Sequence, residues 1–291
     1  MPPRPERPPL RDVLRAALRV GAEAAAVCSL PLARRAWVGR AGTWEGMGRG
    51  TSLEFQDHRP YHPGDDPRHI NWHAYARTDT LAMKVFREEV APLVDVALDT
   101  SASMRLHTGK WRRALETFCF ALDAARRAGA GAAGHAVDAT ARPFDPEQLA
   151  ELPEPERTTA PDLAQLRWRR GSLRLLVSDL LFPGSPEPWL RPLVEGGGRG
   201  VLLVPFARAE AEPDWTGELE LVDCETGERR ERALGDEARE LYRAAYERHL
   251  EAWRSAASRC GIVVARLPET GSLQEALLGE PLRRGAVEVV A

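Results

Sequence analysis

Two near-continuous aliphatic runs, Leu173–Val177 and Val201–Val204, most constrain what this chain can fold into. A strand with one wet face alternates apolar and polar residues. A strand covered on both faces is apolar almost throughout, as in parallel sheets sandwiched between helices. Leu93–Leu98, Ala133–Val137 and Ile262–Ala265 read as further strands, with helices over Trp111–Arg127, Pro161–Trp168, Asp236–Arg259 and Ser272–Leu278. On the first of these helices Trp111, Leu115, Phe118, Leu122 and Ala125 share a side; on the long one Leu241, Ala245, Trp253 and Ala257 face a core. Alternating strands and helices imply an α/β fold, a doubly wound, mostly parallel sheet with right-handed crossovers, over residues 92–291. A hairpin near 218–233, turning at Glu225-Thr226-Gly227, interrupts the rhythm.

Two segments precede the sheet. Residues 1–9 form a proline-rich, disordered lead, and Leu10, Val13, Leu14, Ala17 and Leu18 then recur at helical steps, so that 1–33 is a lead plus an N-terminal amphipathic helix. Its alanine-rich apolar face suits packing better than a membrane surface. Residues 34–91 read as a small β-rich module, with glycines clustered from Gly39 to Gly50 and a Pro63-Gly64-Asp65-Asp66 turn. Here Arg59, Arg68 and Arg77 alternate with Asp57, Asp65, Asp66 and Asp79, which predicts ion pairs tying the module to the sheet, with Trp72, Tyr61 and Phe86 filling the contact. In the alternative, Asp65, Asp66 and Arg68 belong to a partner-binding surface. His58, His62, His69 and His73 form two HxxxH pairs, but Pro60 and Pro63 break any helix that would align the first, and no cysteine is near.

A formal charge of −3 gives no electrostatic reason to expect nucleic acid. Cys28, Cys119, Cys224 and Cys260 are widely spaced, which argues against a zinc ribbon or a disulfide framework. No apolar run approaches the ~18 residues of a membrane span. These features predict a cytoplasmic protein.

Ligands of open α/β sheets bind beyond the carboxyl ends of the strands. The strand Leu93–Leu98 delivers Asp99, Ser101 and Ser103 there at steps of two, which turns three oxygen donors to one side of an extended loop. The run Leu173–Val177 ends similarly, in Ser178-Asp179. Such hard donors suit Mg²⁺. Alternatively, the serines cap the following helix and the aspartates are solvated loop acids. No GxSxG elbow, GxxxxGK[ST] loop or HExxH motif occurs, so the chain reads as no enzyme; the alternatives to a binding role are a Mg-dependent hydrolase and a metal-independent structural scaffold.

The segment Leu98-Asp99-Thr100-Ser101-Ala102-Ser103-Met104 resembles the metal-ion-dependent adhesion site of von Willebrand factor A-like domains. That resemblance implies Asp99, Ser101, Ser103, Thr159 (or Thr158) and Asp179 as ligands of Mg²⁺, or of Mn²⁺ or Ca²⁺, with an open position for a partner's carboxylate. Because the buried strands already supply a core, Asp99→Ala is expected to leave the metal-free melting temperature nearly unchanged. Together with Leu53-Glu54-Phe55, Pro63-Gly64-Asp65-Asp66, Ile70-Asn71-Trp72 and Lys84-Val85-Phe86, the motif resembles the bacterial domain of unknown function 58 family over about residues 35–285. Asn71, where an aspartate is common, and His73 depart from its pattern. The family resemblance implies a metal-dependent protein-binding adaptor, working with a MoxR-type AAA+ ATPase or its client in assembly or maturation of other proteins.

Overall fold

The computed structural model describes residues 9–32, 53–63, 65–88, 91–148 and 161–290. The chain divides into two units: residues 33–92, and residues 1–32 together with 93–291. Among the described residues no helix is long and apolar enough to cross a membrane.

The larger unit begins with α1 (Leu10–Ala25) and β1 (Cys28–Ser29). The smaller unit pairs β2 (Leu53–Pro60) antiparallel with β3 (Ala82–Glu88), and α2 (Trp72–Thr78) lies between them in sequence. Asn71 caps α2, its side-chain oxygen accepting from the Ala74 N–H at 3.2 Å. Ile70 and Met83 are buried in this unit. Trp72 is 58% exposed and meets Tyr75 edge-on at 6.3 Å. Asp66 caps a short 3₁₀ turn and pairs with Arg68 at 2.7 Å on the surface, and Asp65 accepts from the His62 N–H. An exposed pair of this kind adds little stability.

The larger unit resumes with β4 (Leu93–Asp99), α3 (Thr108–Arg127), β5 (Gly131–Val137) and β6 (Ala141–Pro143). β7 (Leu173–Val177), α4 (Glu187–Val194), β8 (Arg199–Phe206), α5 (Arg208–Ala211) and the hairpin β9 (Gly217–Val222)–β10 (Arg229–Leu234) follow. α6 (Asp236–Arg259), β11 (Val263–Pro268), α7 (Leu273–Leu278), α8 (Glu280–Arg283) and β12 (Glu288–Val289) complete it. The central sheet runs β11-β8-β7-β4-β5-β6, parallel except for β6. Successive residues of each strand feed opposite faces: Val96, Leu98, Leu175 and Leu203 enter a core with α1, α3 and α7, while Ala97, Leu176 and Leu202 enter one with α4 and α6.

Three sequence expectations change here. Residues 161–168 hold only a 3₁₀ turn, Leu163–Gln165, because Asp162 accepts from the Ala164 N–H and closes a single turn. On α6, Leu241 is 65% exposed and Ala245 is exposed too. The packed stripe is instead Tyr246, Leu250, Trp253 and Ala257, and Tyr242 continues it by stacking on Tyr246 and meeting Trp215 edge-on. The aromatic phase, not the aliphatic one, sets this helix's rotation. Finally, α3 is buried nearly all round rather than along one side, because α1 covers the face turned away from the sheet.

That α1–α3 contact depends on Gly21. A Cβ there would meet the Phe120 backbone N at 2.7 Å and the Cys119 Cβ at 2.9 Å. Backbone cannot yield as a flexible side chain does, so the helices would have to separate. Gly21→Ala is expected to cost about 1–3 kcal/mol despite alanine's better helix propensity. Chemical denaturation checks it; a neutral or stabilised variant would show that the helices part without penalty.

Candidate functional site

The carboxyl ends of β4 and β7 lie side by side, since Leu98 pairs with Val177. Beyond that rung each strand supplies an acid. Asp99 is fully buried and Asp179 is 3% exposed, so neither is a solvated loop acid. The serines do not cap α3 either: its N-cap is His107, and Ser103 opens a separate 3₁₀ turn.

The loop after β4 is shaped by its own side chains. Asp99 Oδ1 accepts from the Ser101 N–H at 2.9 Å, bending the chain back over the strand end. Thr100 points the other way, its N–H and hydroxyl both donating to the Val137 carbonyl at the end of β5. Asp99, Ser101 and Ser103 thus share one side, and the Ser101 and Ser103 hydroxyl oxygens are 3.1 Å apart. The Ser178 hydroxyl donates to Asp99 Oδ2 at 2.7 Å and is itself fixed by accepting from the Leu180 N–H. Leu180 has φ 58°, a left-handed conformation that strains a leucine and turns the chain directly after Asp179. The Leu181 N–H closes this turn on Asp179 Oδ1 at 3.1 Å.

Asp179 does not stand alone. Lys110, with a fully buried side chain, donates from Nζ to Asp179 Oδ2 at 2.9 Å and also to Glu210 Oε1. A cation in the first turn of α3 opposes the helix dipole. Burial, too, disfavours the ammonium, but the Asp179 and Glu210 carboxylates outweigh it and hold the lysine above its ordinary value. Among the described residues Asp99 has no such partner. Full burial, then the negative charge of Asp179, raises its carboxyl to about 7, against the pull of the Ser101 and Ser178 hydrogen bonds.

A last carboxylate arrives from the β9–β10 hairpin: Glu225 Oε1 accepts from the Ser103 N–H at 2.8 Å. Its Oε2 is buried without a hydrogen-bond partner among the described residues.

Residues 57–148 match the family model of the protein of unknown function DUF58. The DUF58 match includes Asp99, Ser101, Ser103 and Lys110, and it ends before Asp179, Glu210 and Glu225. It is narrower than the span over which the motifs resemble that family. No curated protein and no solved structure matches the chain.

Of the residues singled out from sequence, Asp99, Ser101, Ser103 and Asp179 come together at this strand end. Thr158 and Thr159 lie outside the described residues. Asp65, Asp66 and Arg68 belong to the smaller unit. The sequence reading does not assign Ser178, Glu210, Glu225 or Lys110 to the site. Ser178 was readable, being the hydroxyl beside the strand-end aspartate; Glu210 and Glu225 carry no local signal.

The donors fit a hard divalent cation. Among the described residues no three His, Cys, Asp or Glu side chains group as a metal site; the donors here are two hydroxyls with carboxylates. Adjacent ligands of an octahedral Mg²⁺ are about 2.9 Å apart for bonds near 2.05 Å, and the serine oxygens stand at 3.1 Å. Among the described residues Asp99 has no cationic partner, and Glu225, whose Oε2 is the orphan, meets the same loop at the Ser103 N–H. Asp179 fits differently, since it shares Lys110 with Glu210.

Proposed function

We propose that the larger unit is a von Willebrand factor A-like, non-enzymatic module that binds a protein partner through a divalent cation held by Asp99, Ser101 and Ser103. Asp179 contributes from the neighbouring strand in its Lys110 pair. The observation that carries this reading is the buried, cation-free carboxyl of Asp99 behind two serine hydroxyls at ligand spacing. Burying a carboxylate without a counter-charge is costly, and a fold that maintains one is suited to receiving a cation. When bound, a Mg²⁺ ion supplies a positive, oxygen-seeking centre that accepts an acidic side chain of a partner.

The chain's own residues do the rest. Ser178 and the Ser101 N–H orient Asp99, Thr100 pins the loop to β5, and Lys110 holds the Asp179 carboxylate in place. The family resemblance nominates a MoxR-type AAA+ ATPase, or its client, as the partner.

Calorimetric titration tests the reading. Wild type is expected to bind one Mg²⁺ or Mn²⁺, and Asp99→Asn to bind at least about tenfold more weakly, having lost the charged ligand. Association with the ATPase or client should be abolished by EDTA. Equal association in EDTA and in Mg²⁺ would replace the metal-dependent adaptor with a scaffold.

A further inference from the structure

The hairpin β9–β10 is exposed along nearly its whole length. A two-stranded ribbon without a buried face is marginal in water, so its position must be fixed at its ends. Its tip is rigid. Asp223 Oδ1 accepts from the N–H groups of Glu225 and Thr226, at 2.8 and 2.9 Å. The Gly227 N–H returns to the Asp223 carbonyl, and Gly227 takes the positive φ of 76° that this turn requires. The bond with Thr226 is the main cause holding the Asp223 carboxyl below its usual range, as expected of an acid locked into a turn.

This rigid tip aims one carboxylate at one loop. Glu225 Oε1 takes the Ser103 N–H, 122 positions away in sequence. The other oxygen of the same carboxylate is buried and has no hydrogen-bond partner among the described residues. Cys224, the preceding residue, is half-buried close enough to feel the Lys110 charge. A docking contact alone would need only the first oxygen; leaving the second dry and unsatisfied is costly unless something positive meets it.

The geometry points to Glu225 as an intrachain ligand of the divalent cation, covering the position that an acidic side chain of a partner would otherwise take. The inference rests on the metal-binding reading above. It makes the hairpin a built-in competitor: the free protein carries its ion capped by Glu225, and a partner's carboxylate gains access only by displacing that side chain.

Mn²⁺ is the probe, added to the full chain as wild type, Glu225→Gln and Glu228→Gln. Glu228 sits on the same hairpin and pairs with Arg230 on the surface, so its variant controls for a loosened turn. Two quantities are read: Mn²⁺ affinity, and the water-proton relaxation of the bound ion, which rises when a protein ligand is replaced by exchanging water. Glu225→Gln is expected to bind about tenfold or more weakly, with raised relaxation per bound ion; Glu228→Gln is expected to match wild type in both. Unchanged relaxation in Glu225→Gln overturns the inference, because Glu225 then only tethers the hairpin. If wild type binds no Mn²⁺ at all, the metal-binding reading fails and takes this inference with it. Binding by wild type with identical behaviour of Glu225→Gln removes the inference alone.

Discussion

Replacing Lys110 by methionine is expected to lower stability at pH 7 by about 3–5 kcal/mol, because breaking a buried ion pair strands its partners. The side chain is fully buried, and its ammonium serves two carboxylates, Asp179 and Glu210. Methionine fills most of the volume, so lost charge rather than a cavity dominates the effect. The folded lysine titrates above its ordinary value. Its contribution is therefore present at all pH values below the unfolded pKa and disappears only as pH rises through the folded one, in strong alkali. The triple variant Lys110→Met/Asp179→Asn/Glu210→Gln should recover most of the lost stability, since no unpaired charge remains. Urea denaturation of the three proteins checks this; a cost below about 1 kcal/mol for the single variant would mean that water, not Lys110, solvates the two acids.

Asp99→Asn is expected to stabilise the metal-free protein at pH 8, and not at pH 4. The Asp99 carboxyl titrates at about 7 in the fold and from 3.8 as the ordinary value. Between those limits the folded chain holds a proton that the unfolded chain has released. Stability from this group is complete below pH 4, falls as pH rises toward 7, and is flat above. The full difference is on the order of 4 kcal/mol as a ceiling, at ~1.4 kcal/mol per unit. Asparagine carries no charge and escapes the penalty, retaining one acceptor oxygen for Ser178 or Ser101. In EDTA the melting temperature of Asp99→Asn relative to wild type should therefore climb from pH 4 to pH 8, and Mg²⁺ at pH 8 should raise wild type alone. A pH-independent difference would show that Asp99 is hydrated in the fold. At pH 4, where no charge penalty is relieved, Asp99→Ala removes a fully buried acceptor from Ser178 Oγ and the Ser101 N–H, and is expected to cost about 1–3 kcal/mol without metal.

Both predictions involve charges that local sequence treats unequally. Asp99 announces itself, because an acid ending an apolar run can only emerge at a strand end, and the following serines fall on its side by the period of extended chain. Lys110 looks like any lysine near a helix start. Only the fold reveals that it is fully buried and that it meets Glu210, at the start of α5 and 100 positions away. The helices show the same division. Asp236–Arg259 is periodic and well marked, yet which side packs followed Tyr242 and Tyr246 rather than Leu241, since large rings bury more surface than one leucine. The backbone state was local information; the rotation was not.

By itself the sequence determined the strand-and-helix alternation, the runs Leu173–Val177 and Val201–Val204 that demand cover on both faces, and the delivery of Asp99, Ser101 and Ser103 from one strand end. Each of these follows from residues within a few positions of one another, where side-chain period and burial act directly. Tertiary structure alone decided that α1 lies across α3 at Gly21, that Lys110 pairs with Asp179, and that Glu225 reaches Ser103. Those contacts join residues tens to more than a hundred positions apart. No local period encodes them, because they are set by which surfaces must be covered and which buried charges must be matched once the sheet has formed.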